Sequence, residues 1–331
     1  MDTKLTVVLG DYPHTRALNE GRVQVPGYQL DPVSVTPIIS AYRRMIRDLE
    51  FDVCELAPVS YLMARQAGVA LTAIPVFLNR RFHHGDLQCA ARSGIKVPRD
   101  LEGRRVGARA YTVTTAVWAR GILQEEYGVD PQTVTWVVDD EDHVEGRTPA
   151  NVERAPEGVS LGQLLREGRI DAALTGNAGT GRAGAPRADW AASALADKAS
   201  EQADGQPYPL FAEAEALSTD WFTRTGIYPV HSLIVLRSEL AERDPDLAAK
   251  FYTAFAESKR EYLVGDPRWD AQPRFARQAR QVHGDPVPYG TEANDPSVRA
   301  LARYAHDQGL ADPGEFDGPR SLFAQGDYPT A

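Results

Sequence analysis

Cysteine is nearly absent: only Cys54 and Cys89 occur among 331 residues, both inside apolar runs and with no CxxC spacing. That excludes a disulfide-stapled scaffold and a cysteine-based zinc site, and leaves packed, reduced thiols in a cytoplasmic setting as the expectation. Histidine is sparse too, seven residues with no HxH or HExxH pattern, so no metal ligand set is expected. No apolar run approaches the roughly 20 residues that a membrane-spanning helix requires. The opening stretch MDTKLTVVLGDYPHTR has one lysine before its apolar residues and no small-residue cleavage site, so it reads as a first strand rather than a secretory signal. Positive charge is also in deficit. With 36 Lys and Arg against 46 Asp and Glu, the formal net charge is -10, which argues against nucleic acid or an anionic membrane as partner. An anionic small molecule stays open, because local arginines outweigh the global field at short range.

What is present is a repeated strand-to-helix order. LTVVL precedes the turn residues GDYPHT; Ile38, Ile39, Tyr42, Met45, Ile46 and Leu49 then recur at the spacing of one helical face. FDVCEL reads as a strand and PVSYLMARQAG as a helix closed by Gly68; ALTAIPVFL reads as a strand with DLQCAAR as its continuation. RRVGARA, TVTWVV, RIDAALTG and HSLIVL are further strands, and Leu247, Phe251 and Phe255 make an i, i+4 stripe on a late helix, followed by Val298, Leu301 and Tyr304. This order predicts an α/β architecture with largely parallel sheets, and the length predicts two lobes. Residues 179–206 lose periodicity and read as an irregular excursion.

In open α/β sheets ligands bind beyond the carboxyl ends of the strands. Those ends are heavily loaded here. Asp11, Tyr12, His14 and Arg16 follow the first strand, and Glu55 ends FDVC. NRRFHHGD places Arg80, Arg81, His83 and His84 behind AIPVFL; Arg109, Tyr111, Thr112 and Thr114 follow RRVGA, and Asn177 follows DAALT. Plainer uses stay open for each. Adjacent arginines serve surface ion pairs, the threonines cap helices, and Glu55 suits a helix first turn. Successive residues of an extended segment face opposite ways, so one of His83 and His84 is expected to be structural.

The blocks GDYPHTRAL, YRRMIRDLEFDVCELAPVSYLMAR, TAIPVFLNRRFHH, LEGRRVGARAYTVTTAVWARGILQEEYGV, TGIYPVHSLIV and PYGTEANDPSVRALARYAHDQGL occur in order between about residues 4 and 325. Together they resemble the 4,5-dihydroxyphthalate decarboxylase family, within the wider type 2 periplasmic-binding-protein fold. The resemblance implies two α/β lobes with a hinge and an interlobe cleft, lobe 1 taking residues 1–88 and 230–331 and lobe 2 residues 89–229. It implies a cytoplasmic, cofactor-independent carboxy-lyase acting on a hydroxylated aromatic carboxylate or dicarboxylate such as 4,5-dihydroxyphthalate or a biosynthetic relative. The alternatives are a solute-binding protein for an anionic small molecule and another lyase or dehydratase on the same fold. The chain departs from the family blocks where it has His83, His84 and Gly85, where Ser232 follows His231, and near Ala110. His84 carries over and His83 does not.

Such a reaction needs a base for the phenol, an acid for the ring carbon and cations for a second carboxylate, without an organic cofactor or metal. His84 is the first choice for proton transfer, with His14 and His231 as substitutes. Asp11 or Glu55 would orient a histidine or act as the acid. Arg16, Arg80 and Arg81 are carboxylate clamps. Tyr111, Thr112, Thr114, Asn177 and Ser232 complete the substrate-binding candidates. The expected partner is a small anionic aromatic molecule, with a homodimer as the base-rate assembly.

Overall fold

The computed structural model describes residues 3–144, 146–181, 205–264, 268–312 and 318–331. The chain divides into two units: unit 1 is Met1–Arg81, Thr219–His306 and Ala311–Ala331, and unit 2 is Phe82–Ser218 and Asp307–Leu310. Among the described residues the strands are β1 (Thr3–Val8), β2 (Tyr28–Pro32), β3 (Val53–Leu56), β4 (Leu71–Arg80), β5 (Leu87–Cys89), β6 (Arg105–Ala108), β7 (Thr135–Val138), β8 (Val152–Arg154), β9 (Ala172–Leu174), β10 (Tyr208–Pro209) and β11 (Val230–Arg237). The longer helices are α1 (Ile39–Asp48), α2 (Pro58–Gln66), α3 (Thr114–Tyr127), α4 (Ala214–Thr225), α5 (Leu247–Val264), α6 (Pro273–Val282) and α7 (Asp295–Asp307).

Unit 1 is built on a sheet of order β2-β1-β3-β11-β4. β1, β2 and β3 are parallel, and β11 runs antiparallel to both β3 and β4. All four residues of β3 are buried, as expected of a strand covered on both faces. The Leu247, Phe251, Phe255 stripe of α5 packs into the core with Leu5, Val7, Val53, Ile74, Val76 and Ile234. Each large side chain so buried stabilises the unit by roughly 1.5–3 kcal/mol. The reversed direction of β11 matters most for the site. It brings the start of that strand beside the carboxyl ends of its neighbours, with Ser232 opposite Asn79, Val230 opposite Arg80 and Leu233 opposite Leu56.

Unit 2 carries a sheet of order β10-β5-β9-β6-β7-β8, in which β6 is parallel to β7 and β9, and β5 is antiparallel to β9 and β10. Gly107 in β6 has a packing reason: a Cβ there would meet Ile170 Cδ1 at 2.9 Å and Leu161 Cδ2 and Ala173 Cβ at 3.1 Å. The absent side chain lets the helix Leu161–Arg166 close on the sheet.

Some expectations change. DLQCAAR does not continue β4: a 3-10 turn at His84–Asp86 intervenes, and Leu87 pairs with Leu174 in the other sheet. The chain passes between units at Arg81/Phe82 and Ser218/Thr219, and again on either side of the short stretch Asp307–Leu310, where the sequence reading has 88/89 and 229/230. Of the 179–206 stretch, residues 182–204 lie outside the described residues.

Candidate functional site

At the carboxyl edge of the unit 1 sheet the turn after β1 folds over the end of β3. Glu55, fully buried, accepts from the Gly10 backbone N–H at 2.8 Å, the Tyr12 hydroxyl at 2.8 Å and the Tyr42 hydroxyl at 3.0 Å. Burial first, then the charge of Glu55, holds both phenols well above the usual tyrosine pKa, so they remain neutral donors. Glu55 therefore orients two tyrosines and no histidine. Ser232 reaches this cluster from the start of β11 and lies beside the Tyr12 hydroxyl.

His14 sits in the same unit within an aromatic cage. Its ring lies 5.4 Å from Tyr12 and meets Trp269 and Phe275 edge-on at 5.6 Å. Burial, then the charges of Lys259 and Arg274, push its pKa down to about 3, with the Leu78 backbone acting the other way. At neutral pH this ring holds no second proton to donate, which corrects its assignment as a substitute acid. Between pH 6.5 and about 3 the unfolded chain takes up a proton that the folded chain refuses. The group therefore removes stability as pH falls through that window, at roughly 1.4 kcal/mol per pH unit. His14→Phe is expected to flatten the acid side of a melting-temperature profile, and an unchanged slope would contradict a neutral buried ring.

The arginines behave differently from one another. Arg80 is 1% exposed, and its guanidinium donates to Asn294 Oδ1 at 2.6 Å, to the Tyr228 carbonyl and to Ser297 Oγ at 3.2 Å, while lying 4.4 Å over the Tyr228 ring. Burial pushes its pKa down to about 10. Nη1 and Nη2 are both taken by protein acceptors and only the buried Nε is unpaired, so Arg80 is a core residue and not a carboxylate clamp. Arg16 and Asp11 form a solvent-exposed pair at 3.6 Å, which leaves Asp11 orienting no histidine. Arg81 donates its backbone N–H to Pro229 O at 3.3 Å, and His231 is half-buried in β11.

In unit 2 both histidines of the HHGD turn are buried. His83 Nδ1 lies 2.7 Å from Asp86 Oδ2 and its ring stacks on Trp118 at 6.5 Å and 15°, a structural placement. His84 Nδ1 lies 3.1 Å from Ser218 Oγ, which itself donates to Ala214 O at 2.7 Å. Ser218 has one proton and spends it on Ala214, so His84 Nδ1–H donates and Nε2 is the basic nitrogen. Phe211 and Tyr127 meet the ring edge-on.

The start of α3 follows a different logic from capping. Its N-cap residue is Val113, and Thr112 instead donates through both N–H and Oγ1 to Asp142 Oδ1, at 2.9 and 2.7 Å. The protein's own carboxylate takes the place where Thr112 was expected to hold a ligand. Tyr111 packs under the buried Arg120 guanidinium, 3.8 Å from its ring centre. Thr114 is buried at the first position of α3, and Asn177 is exposed on the 3-10 turn after β9.

Within unit 1 the structure thus gathers Glu55, His14 and Ser232, and adds Tyr12, Tyr42 and Arg274, which the sequence reading did not assign. Arg274 belongs to α6, a helix signalled by Pro273 at its first turn and by the apolar spacing of Phe275, Ala279 and Val282. Asp142, the partner of Thr112, carries no local signal.

The family model described as NMT1/THI5 like matches residues 45–153. A 4,5-dihydroxyphthalate decarboxylase of Comamonas testosteroni is 30% identical over 343 aligned positions, spanning 96% of this chain and 97% of that one. One of Pseudomonas putida is 33% identical over 180 positions, spanning 51% of this chain and 69% of that one. Among solved structures, the periplasmic aliphatic sulphonate binding protein SsuA of Escherichia coli superposes with a TM-score of 0.54 at 14% identity, covering 99% of each chain. That likeness establishes the two-lobe α/β fold of the type 2 periplasmic binding proteins, and the near full-length identity to the Comamonas enzyme establishes the lineage: the chain belongs to the 4,5-dihydroxyphthalate decarboxylase family of carboxy-lyases.

Proposed function

We propose that the chain removes CO₂ from a hydroxylated aromatic dicarboxylate of the 4,5-dihydroxyphthalate class by protonating the ring carbon that bears the departing group. The observation that carries this reading is the 30% identity to a relative of that name over nearly its full length. The chemistry explains which groups are needed. Direct loss of CO₂ would leave a carbanion in the ring plane, out of conjugation with the π system. In 4,5-dihydroxyphthalate each carboxylated carbon has a hydroxyl para to it. Ionising that hydroxyl loads the carbon with electron density, the carbon takes a proton, and the C–C electron pair returns to the ring as CO₂ leaves.

His84 suits the proton transfer, because its Nδ1–H is committed to Ser218 and its Nε2 is the nitrogen that exchanges protons. In unit 1 the neutral phenols on Glu55 and the Ser232 hydroxyl supply polar contacts that do not titrate near neutrality. Arg81 and His231 stay in the proposal as neighbours of the same sheet edge. The cleft between lobes that the resemblance implies is the proposed place of reaction. Incubation of the chain with 4,5-dihydroxyphthalate is expected to release one CO₂ per ring and form a dihydroxybenzoate. Tight binding with no gas released would instead support a solute-binding role.

A further inference from the structure

We propose that Arg274 anchors a ligand carboxylate in unit 1, with the Ser232 hydroxyl as a second donor. The inference deepens the reading above and rests on it for the ligand class, the carboxylate that an aromatic diacid retains.

Arg274 stands in the first turn of α6 with its side chain open to solvent, yet it is hemmed in enough that lost hydration lowers its guanidinium pKa. Nη2 donates to Asn79 Oδ1 and, at 3.4 Å, to the Arg80 carbonyl, which fixes the plane of the group. Among the described residues no carboxylate lies within ion-pair distance of it. That contrasts with Arg80, whose guanidinium is filled by Asn294, Ser297 and Tyr228. The positive charge that the sequence reading assigned to Arg80 is thus offered by Arg274 at the same sheet edge, where the charges of Arg81 and Glu55 act on it in opposite directions.

Ser232 supplies an independent observation. It is 1% exposed, and its Oγ has the Tyr12 hydroxyl as polar neighbour but no hydrogen bond of good geometry among the described residues, although buried hydroxyls are nearly always satisfied. It sits beside Tyr12, whose own proton is committed to Glu55. A hydroxyl and a planar fork match one carboxylate, with charge-assisted bonds from the guanidinium. A phosphate suits the place less well. Pro273 removes one of the amides that a helix start would offer such a group.

The test is calorimetric titration of the full chain with phthalate, which has both carboxylates and no hydroxyls, for wild type, Arg274→Ala, Arg274→Lys and Arg243→Ala, the last an exposed arginine paired with Glu239. Loss of a charged hydrogen-bonding pair predicts about 10- to 100-fold weaker binding for Arg274→Ala. Arg274→Lys should fall between, and Arg243→Ala should change affinity by less than about threefold. With 4,5-dihydroxyphthalate, KM should rise by the same factor in Arg274→Ala while kcat stays within about threefold. Equal phthalate binding by wild type and Arg274→Ala, an Arg243→Ala loss as large as that of Arg274→Ala, or a wild type that ignores phthalate would overturn the anchor. Phthalate binding that depends on Arg274, with no CO₂ formed from the dihydroxy compound, would uphold the anchor and remove the proposed substrate.

Discussion

Replacing His84 by Gln is expected to lower the decarboxylation rate by about 10²- to 10⁴-fold while the chain remains folded. The size follows from the role, since a positioned group that moves a proton in the rate-limiting step contributes that much and an amide does not titrate. Fold retention follows from the surroundings. Its Nδ1 lies 3.1 Å from Ser218 Oγ, and a glutamine amide can keep a donor there. Around it the ring has edge contacts with Phe211 and Tyr127, which a side chain of similar length partly fills. The comparison to make is kcat at saturating substrate, with melting temperature as the control. A variant that melts like wild type and turns over at wild-type speed would remove His84 from the chemistry. His83→Gln, by contrast, should act on stability, because it breaks the pairing with Asp86 and the stack on Trp118.

Arg80→Met is expected to be the most destabilising of these changes, by about 2–5 kcal/mol, since it leaves buried acceptors without their donor at about 1–3 kcal/mol each. It leaves Asn294 Oδ1 and the Tyr228 carbonyl without the guanidinium donor, removes one of two donors from Ser297 Oγ, and takes the cation from above the Tyr228 ring. Chemical denaturation reads this directly. Should Arg80→Met unfold at the wild-type midpoint and show only a raised KM, the guanidinium would be a ligand clamp after all, and the assignment to Arg274 would fall with it.

The two arginines show what a sequence can and cannot reveal about such a site. Arg80 and Arg81 are conspicuous as a pair, and their place at the end of an apolar strand is correctly legible. Which of the available cations is free to meet a ligand is not, because that depends on Asn294 and Ser297 in a helix more than two hundred residues away in the chain. Arg274 was hidden for the same reason: α6 has a readable amphipathic pattern, but nothing local ties it to Asn79. The strand-to-helix order, the Leu247, Phe251, Phe255 stripe and the loaded strand ends were legible because they depend on periodicity and local turn chemistry. β2, β8 and β10 were not: they are short edge or near-edge strands with few buried residues, so they lack the apolar signal of β3 or β4. Thr112 marks another limit. Its donors look available in sequence, and only the fold supplies Asp142 to take them.

The most direct measurement is the incubation with 4,5-dihydroxyphthalate carried out in deuterium oxide, following the gas by mass spectrometry and the ring by proton NMR. The account predicts CO₂ release with a single deuterium at the vacated carbon, abolished or slowed in His84→Gln. Recovery of the dicarboxylate unchanged, whether bound or free, would contradict it.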